Sequence, residues 1–81
     1  MKIVDITVPH WGLEMEEATV IGWLKQIGDR VEEGEPILAM ETDKAEGELE
    51  AEVSGRLVET LASPGDVVKP GDMLGRIEVD D

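Results

Sequence analysis

The segment Gly28-Asp29-Arg30-Val31-Glu32-Glu33-Gly34-Glu35-Pro36-Ile37 recurs as Gly65-Asp66-Val67-Val68-Lys69-Pro70-Gly71-Asp72-Met73-Leu74, at an offset of 37 residues. The match extends back to Ile21 and Leu24 against Val58 and Leu61, and forward to Met40-Glu41 against Ile77-Glu78. One such unit cannot bury its own apolar face, so two must pack together, about a pseudo-two-fold axis. Two units fill an 81-residue chain, which reads as a single domain over residues 1–81. A chain this short buries only roughly 60–65% of its unfolded surface. It has no cysteine for a disulfide or a thiolate zinc site, and no Phe or Tyr. Val, Ile, Leu, Met and Ala therefore build the core.

The pattern is β throughout, and the two-residue alternation is strict over residues 45–53. Over residues 45–53, Ala45, Gly47, Leu49, Ala51 and Val53 alternate with Glu46, Glu48, Glu50 and Glu52, which sets an apolar face against an acidic one. Residues 3–8 read as a first strand ended by Pro9, and residues 18–27, 36–41, 56–61 and 73–79 read as further strands. The stretch 36–41 is apolar on both faces. Residues 14–18 are the one place compatible with a helical turn. Turn residues cluster at Gly28-Asp29, Glu33-Gly34-Glu35, Ser54-Gly55, Ser63-Pro64-Gly65-Asp66 and Lys69-Pro70-Gly71-Asp72. Short strands at this spacing indicate a small all-β sandwich or barrel.

Lys44 stands in the link between the two units. It is the only basic residue between Arg30 and Arg56, an interval that holds Glu32, Glu33, Glu35, Glu41, Asp43, Glu46, Glu48, Glu50 and Glu52. Taken alone, such a lysine is either an ordinary solvated hairpin residue or an amine presented for modification. Nearby carboxylates favour its ammonium form, which is no nucleophile, so an enzyme that modifies it must deprotonate it. Asp43 is equally suited to recognition and to stabilising the turn through its own backbone. The repeat places the end of the second unit, near Asp80-Asp81, at the opposite end of the body from Lys44.

The net charge of −13 opposes nucleic acid and anionic membrane surfaces and favours basic protein partners. No apolar run reaches membrane-spanning length, and residues 1–5 carry no signal-peptide core. His10 is the only histidine, which excludes a His-rich metal site, and no acidic stretch has EF-hand spacing. The glycines lie singly in turns rather than in a phosphate loop before a helix. Ser54 and Ser63 have no identifiable partner base. Trp11, Leu13 and Met15 form either an exposed partner patch near the lysine or, for Leu13 and Met15, part of the core. Trp23 reads as core or half-buried.

Glu41-Thr42-Asp43-Lys44-Ala45 resembles the lipoylation site of lipoyl domains in 2-oxo acid dehydrogenase complexes. The run from Gly28 to Pro36 is similar to the family's approach to that hairpin, and Gly55 matches its downstream glycine. Residues 9–18 resemble the opening of acyltransferase (E2) subunits of 2-oxo acid or acetoin dehydrogenases. The related biotinyl domains set their lysine between two methionines, whereas Asp43 and Ala45 flank Lys44 here. The resemblance implies a flattened β-barrel, or sandwich, of two four-stranded antiparallel sheets with quasi-two-fold symmetry.

It further implies a non-catalytic carrier domain with (R)-lipoate in amide linkage to Lys44 as a swinging arm. Asp43 and Ala45 would be flanking recognition residues. Glu41, Thr42, Glu46, Glu48 and Trp11 would meet partners, and Gly34 and Gly55 would be structural turns. The implied partners are a lipoate ligase or lipoyl transferase, a thiamine-dependent decarboxylase, an acyltransferase core and dihydrolipoamide dehydrogenase. A monomeric isolated domain is expected, in the cytoplasm or, for a processed eukaryotic domain, the mitochondrial matrix. The rival readings are a biotinyl carrier and an unmodified β-sandwich interaction module.

Overall fold

The two halves of the chain close on each other through reciprocal backbone hydrogen bonds. The Gly28 N–H donates to the Leu57 carbonyl (2.7 Å) and the Leu57 N–H donates to the Asp29 carbonyl (2.9 Å). The same exchange recurs with the halves reversed, between Gly65 and Val20 (2.7 Å) and between Val20 and Asp66 (2.8 Å). A second reciprocal set joins Gly34 and Glu35 to Ala51, and Gly71 and Asp72 to Val8. These bonds come from a computed structural model of the chain that describes residues 2–9, 16–43 and 45–79.

Eight strands follow in order: β1 (Lys2–Thr7), β2 (Ala18–Trp23), β3 (Arg30–Val31), β4 (Pro36–Glu41), β5 (Glu46–Glu50), β6 (Gly55–Thr60), β7 (Val67–Val68) and β8 (Met73–Val79). They form two four-stranded antiparallel sheets. Sheet A runs β1-β8-β6-β3 and sheet B runs β5-β4-β2-β7. The repeat relates them strand for strand, with β2, β3 and β4 mapping onto β6, β7 and β8. The sequence pattern marks six of these strands. The two-residue strands β3 and β7 are too short to show a period, yet they close the sheets at repeat-related positions. The body measures 37 × 22 × 18 Å.

The turn glycines are required by conformation. Gly28, Gly34, Gly65 and Gly71 all have φ near +90° (97°, 87°, 92° and 93°), a region that L-residues with a Cβ rarely enter. In each turn an acidic side chain completes the loop. Asp29 Oδ2 accepts from Gln26 N–H at 2.9 Å, and Asp66 Oδ2 accepts from Ser63 N–H at 2.8 Å.

The inward faces of both sheets form one apolar core, in which Val20, Val31, Ile37, Leu38, Met40, Leu57, Leu74 and Ile77 are fully buried. Ile37 and Leu38 are both buried although they are neighbours on β4. The β4–β5 register shifts between Pro36 and Leu38, and a bulge there resets the two-residue alternation. That shift explains why residues 36–41 look apolar on both faces. The compatibility of residues 14–18 with a helical turn is not realised in the described part, because Glu16 and Glu17 are non-helical and Ala18 opens β2.

Gly55 corrects a sequence expectation. It is the first residue of β6 rather than a turn residue. A Cβ there would lie 2.1 Å from the Glu78 carbonyl oxygen on the paired strand. The position is glycine because two backbones approach closely, not because the chain turns.

Gly55→Ala is therefore expected to cost about 1–3 kcal/mol, as overpacking that a backbone must absorb. Denaturant melts check this, and a variant that unfolds with the parent would show that β6 and β8 tolerate the extra carbon.

Candidate functional site

The hairpin between β4 and β5 carries the site. Its last paired rung is Glu41 opposite Glu46. Beyond that rung the Thr42 N–H donates to the Ala45 carbonyl at 2.7 Å, which leaves only Asp43 and Lys44 between the bonded residues. The Thr42 hydroxyl donates to the same carbonyl at 3.2 Å. Asp43 and Ala45 are exposed and Thr42 is half-buried. Lys44 and Trp11 lie outside the described residues, as do Leu13, Met15 and the chain end at Asp80-Asp81.

Glu46, Glu48, Glu50 and Glu52 are all exposed, whereas Leu49 and Ala51 are buried. The acidic run is thus a solvent face beside the hairpin, with the carboxylates of Glu41 and Glu46 on one rung. Like charges directly opposite each other weaken a pair of strands, so this end of the ladder depends on the backbone bonds of the turn. Gly34 sits in the turn that precedes β4, where its N–H donates to Ala51 at 2.8 Å. Nearby, Lys25 Nζ pairs with Glu35 at 2.8 Å. The Lys25 hydrogen bond holds the Glu35 carboxyl below its ordinary pKa, and its counterpart raises that of Lys25.

The far end of the body shows what is special about the hairpin. In sheet A, Lys2 on β1 pairs with Val79 on β8, so the start of β1 and the end of β8 lie side by side. By the repeat, this rung corresponds to the Thr42–Ala45 pair. One end of the pseudo-symmetric body is a closed hairpin, and the other is where the described chain begins and ends.

A family model described as "Biotin-requiring enzyme", covering biotin and lipoyl attachment domains, matches residues 4–77. The solved lipoyl domain of the 2-oxoglutarate dehydrogenase complex from Azotobacter vinelandii superposes with a TM-score of 0.74 at 35% identity, over 95% of this chain and 99% of that one. The chain belongs to the lipoyl domains of the biotinyl/lipoyl family. Among longer relatives of this lipoyl domain, the Bacillus subtilis dihydrolipoyllysine-residue succinyltransferase component of the 2-oxoglutarate dehydrogenase complex is 47% identical over 75 residues. The Pseudomonas putida dihydrolipoyllysine-residue acetyltransferase component of the acetoin cleaving system is 41% identical over 73 residues. These matches take in 93% and 90% of the chain but only 18% and 20% of the relatives' length. The two four-stranded sheets agree with the architecture that the family resemblance implies.

Sequence reasoning did not find the Thr42 hydroxyl bond. A Ser or Thr at the closing position of a two-residue span is the signal that points to it. Thr42→Val keeps the shape and removes that bond. Amide exchange at Thr42 is expected to speed up by roughly fivefold, while global stability changes by less than about 0.5 kcal/mol. Hydrogen exchange followed by NMR checks this, and unchanged protection at Thr42 would mean that the hydroxyl holds nothing.

Proposed function

We propose that this lipoyl domain carries lipoate in amide linkage to Lys44 and works, without chemistry of its own, as the mobile arm of a 2-oxo acid or acetoin dehydrogenase complex. The observation that carries the reading is the closed turn at Thr42–Ala45, which brackets a single amine at one end of the body. Lipoate attachment asks for a primary amine and clearance. The exposure of Asp43 and Ala45 beside the turn, and the lone lysine in the intervening sequence, fit that demand. When attached, the group supplies a redox-active dithiolane that accepts and releases acyl groups.

The chain's own residues present and identify the arm. Asp43 and Ala45 flank it. Glu41, Thr42, Glu46 and Glu48 lie on the two strand ends that lead into the turn, and Trp11 belongs to the connection before β2. In this reading the partners are a lipoate ligase or lipoyl transferase, a thiamine-dependent decarboxylase, an acyltransferase core and dihydrolipoamide dehydrogenase. The relatives' names and the opening residues 9–18 support an acyltransferase parent. Within a tethered assembly, the linker sets the arm's effective concentration at each active site.

Lys44→Arg is expected to fold like the parent and to take no lipoate, while the parent gains one lipoyl group and becomes one charge more negative. Intact mass, native electrophoresis and peptide mapping after treatment with ligase, ATP and lipoate check this. Lipoate on Lys2, Lys25 or Lys69, or on no residue of the parent, would contradict it.

A further inference from the structure

The repeat makes the outer faces of the two sheets comparable rung by rung, and they differ sharply. On sheet A, Arg76 of β8 lies between Asp5 of β1 and Glu59 of β6. Its guanidinium bonds both, Asp5 at 3.2 Å and Glu59 through Nη1. The repeat-related rung of sheet B is Glu48, Ala39 and Gly22. Long, mutually paired side chains span this rung of sheet A, whereas Ala39 and Gly22 leave the backbone nearly bare on the matching rung of sheet B.

The neighbouring rungs repeat the contrast. Sheet A has Ile3, Glu78, Arg56 and Arg30, whereas sheet B has Glu46, Glu41, Thr19 and Val67. Overall, the strands of sheet A carry Lys2, Arg30, Arg56 and Arg76 against Asp5, Glu59 and Glu78. The strands of sheet B carry Glu41, Glu46, Glu48 and Glu50 and no Lys or Arg at all.

Two further observations mark the sheet B face as unfinished. Ile21 and Val67 are 46% and 58% exposed on it. Gly22 is not in the left-handed region, and a Cβ built on it meets nothing within 4 Å. Glycine inside a strand weakens the strand; Gly22 lies at the register shift of β2 against β4, and glycine marks both such bulges and places where a ligand or another backbone comes close. Among the described residues, nothing makes that approach at Gly22.

We propose that the outer face of sheet B is a docking surface, on which a partner enzyme lays a basic protein surface with an apolar projection over Gly22 and Ala39. This rests on the carrier reading. An apolar centre flanked by one sign of charge is the anatomy of a protein interface, and the all-acidic flank selects a basic partner. The face is continuous with the arm, because Glu41 and Glu46 form the last rung before the turn that contains position 44. At about 4.8 Å between strands, Gly22 lies roughly 10 Å across the sheet from Glu48, so one partner surface spans both. A second copy of this chain is a poor occupant, since a two-fold contact sets the same carboxylates against each other.

The test uses the lipoylated chain with the thiamine-dependent decarboxylases of pyruvate, 2-oxoglutarate and acetoin systems, taking the one that acylates the parent fastest. Gly22→Thr adds a β-branched side chain in open space. It is expected to melt at or above the parent's temperature and to accept lipoate fully, yet to lose about tenfold in kcat/KM for reductive acylation, mainly through KM. Val67→Ser, outside the strand interior, is expected to lose severalfold. Ile3→Thr, exposed on sheet A, is expected to lose nothing. Equal kcat/KM for Gly22→Thr, Val67→Ser and the parent would overturn the docking surface while leaving the carrier reading intact. A parent that takes lipoate but is acylated by none of the three enzymes would overturn both. Concentration-dependent dimerisation that Gly22→Thr abolishes would assign the face to a second copy and overturn the proposal.

Discussion

The reciprocal turn bonds are the constraint on which the rest depends. In each of these repeat-related turns the glycine N–H donates to a strand of the other half, Gly28 to Leu57 and Gly65 to Val20. A buried backbone group left unpaired costs about 1–3 kcal/mol, and the N–H groups of buried Leu57 and Val20 are paired by the turn carbonyls of Asp29 and Asp66, so each half needs the other's turns. The positive φ values at the four glycines make these turns tight enough to reach across. With so few large side chains, the molecule holds its shape through ladders and turns around a small aliphatic core. The close contact of Gly55 with the Glu78 carbonyl belongs to the same economy of space.

Pseudo-symmetry alone would make the two ends of the body equivalent. The chain path breaks that equivalence. One end joins β4 to β5 through four residues, and the other brings Lys2 beside Val79 with no connection between them. The separation of the β4–β5 turn from the start of β1 and the end of β8 thus follows from topology. The second asymmetry lies across the sheets, where Asp5–Arg76–Glu59 on one face faces the repeat-related Glu48–Ala39–Gly22 on the other. The turn glycines and most core positions recur between the halves, with exceptions such as buried Leu38 against Gly75, while these outer-face residues differ.

Much of this was legible in the linear chain, for definite reasons. Runs of strand-forming residues bounded by turn signals identified the strands around Ile6, Val20, Met40, Leu49, Leu57 and Ile77, with the two-residue period clearest around Leu49. Arg30–Val31 and Val67–Val68 left no such trace. Gly55 looked like a turn because glycine commonly marks one, and only its partner strand shows the crowding. Gly22 drew no notice within an apolar strand, because its meaning depends on which residues lie on β4 and β5 beside it. The acidic run after Lys44 was readable from alternation alone. The absence of bases from the whole of sheet B was not, because the sheet order joins strands distant in sequence.

If the body exists to hold one amine at a defined point, then position should matter more than local composition. Exchanging two residues, as Asp43→Lys with Lys44→Asp, keeps charge and composition and moves the amine by one place. The two-residue period then turns it toward the other side of the hairpin. The rate of lipoate transfer by a lipoate ligase to the exchanged and parent chains, followed by intact mass, measures the effect directly. The account predicts a fall of about tenfold or more with the fold unchanged, since small misplacements of a reacting group carry penalties of that size. Equal rates would contradict it and would mean that the ligase reads an amine near acids rather than the geometry of the turn.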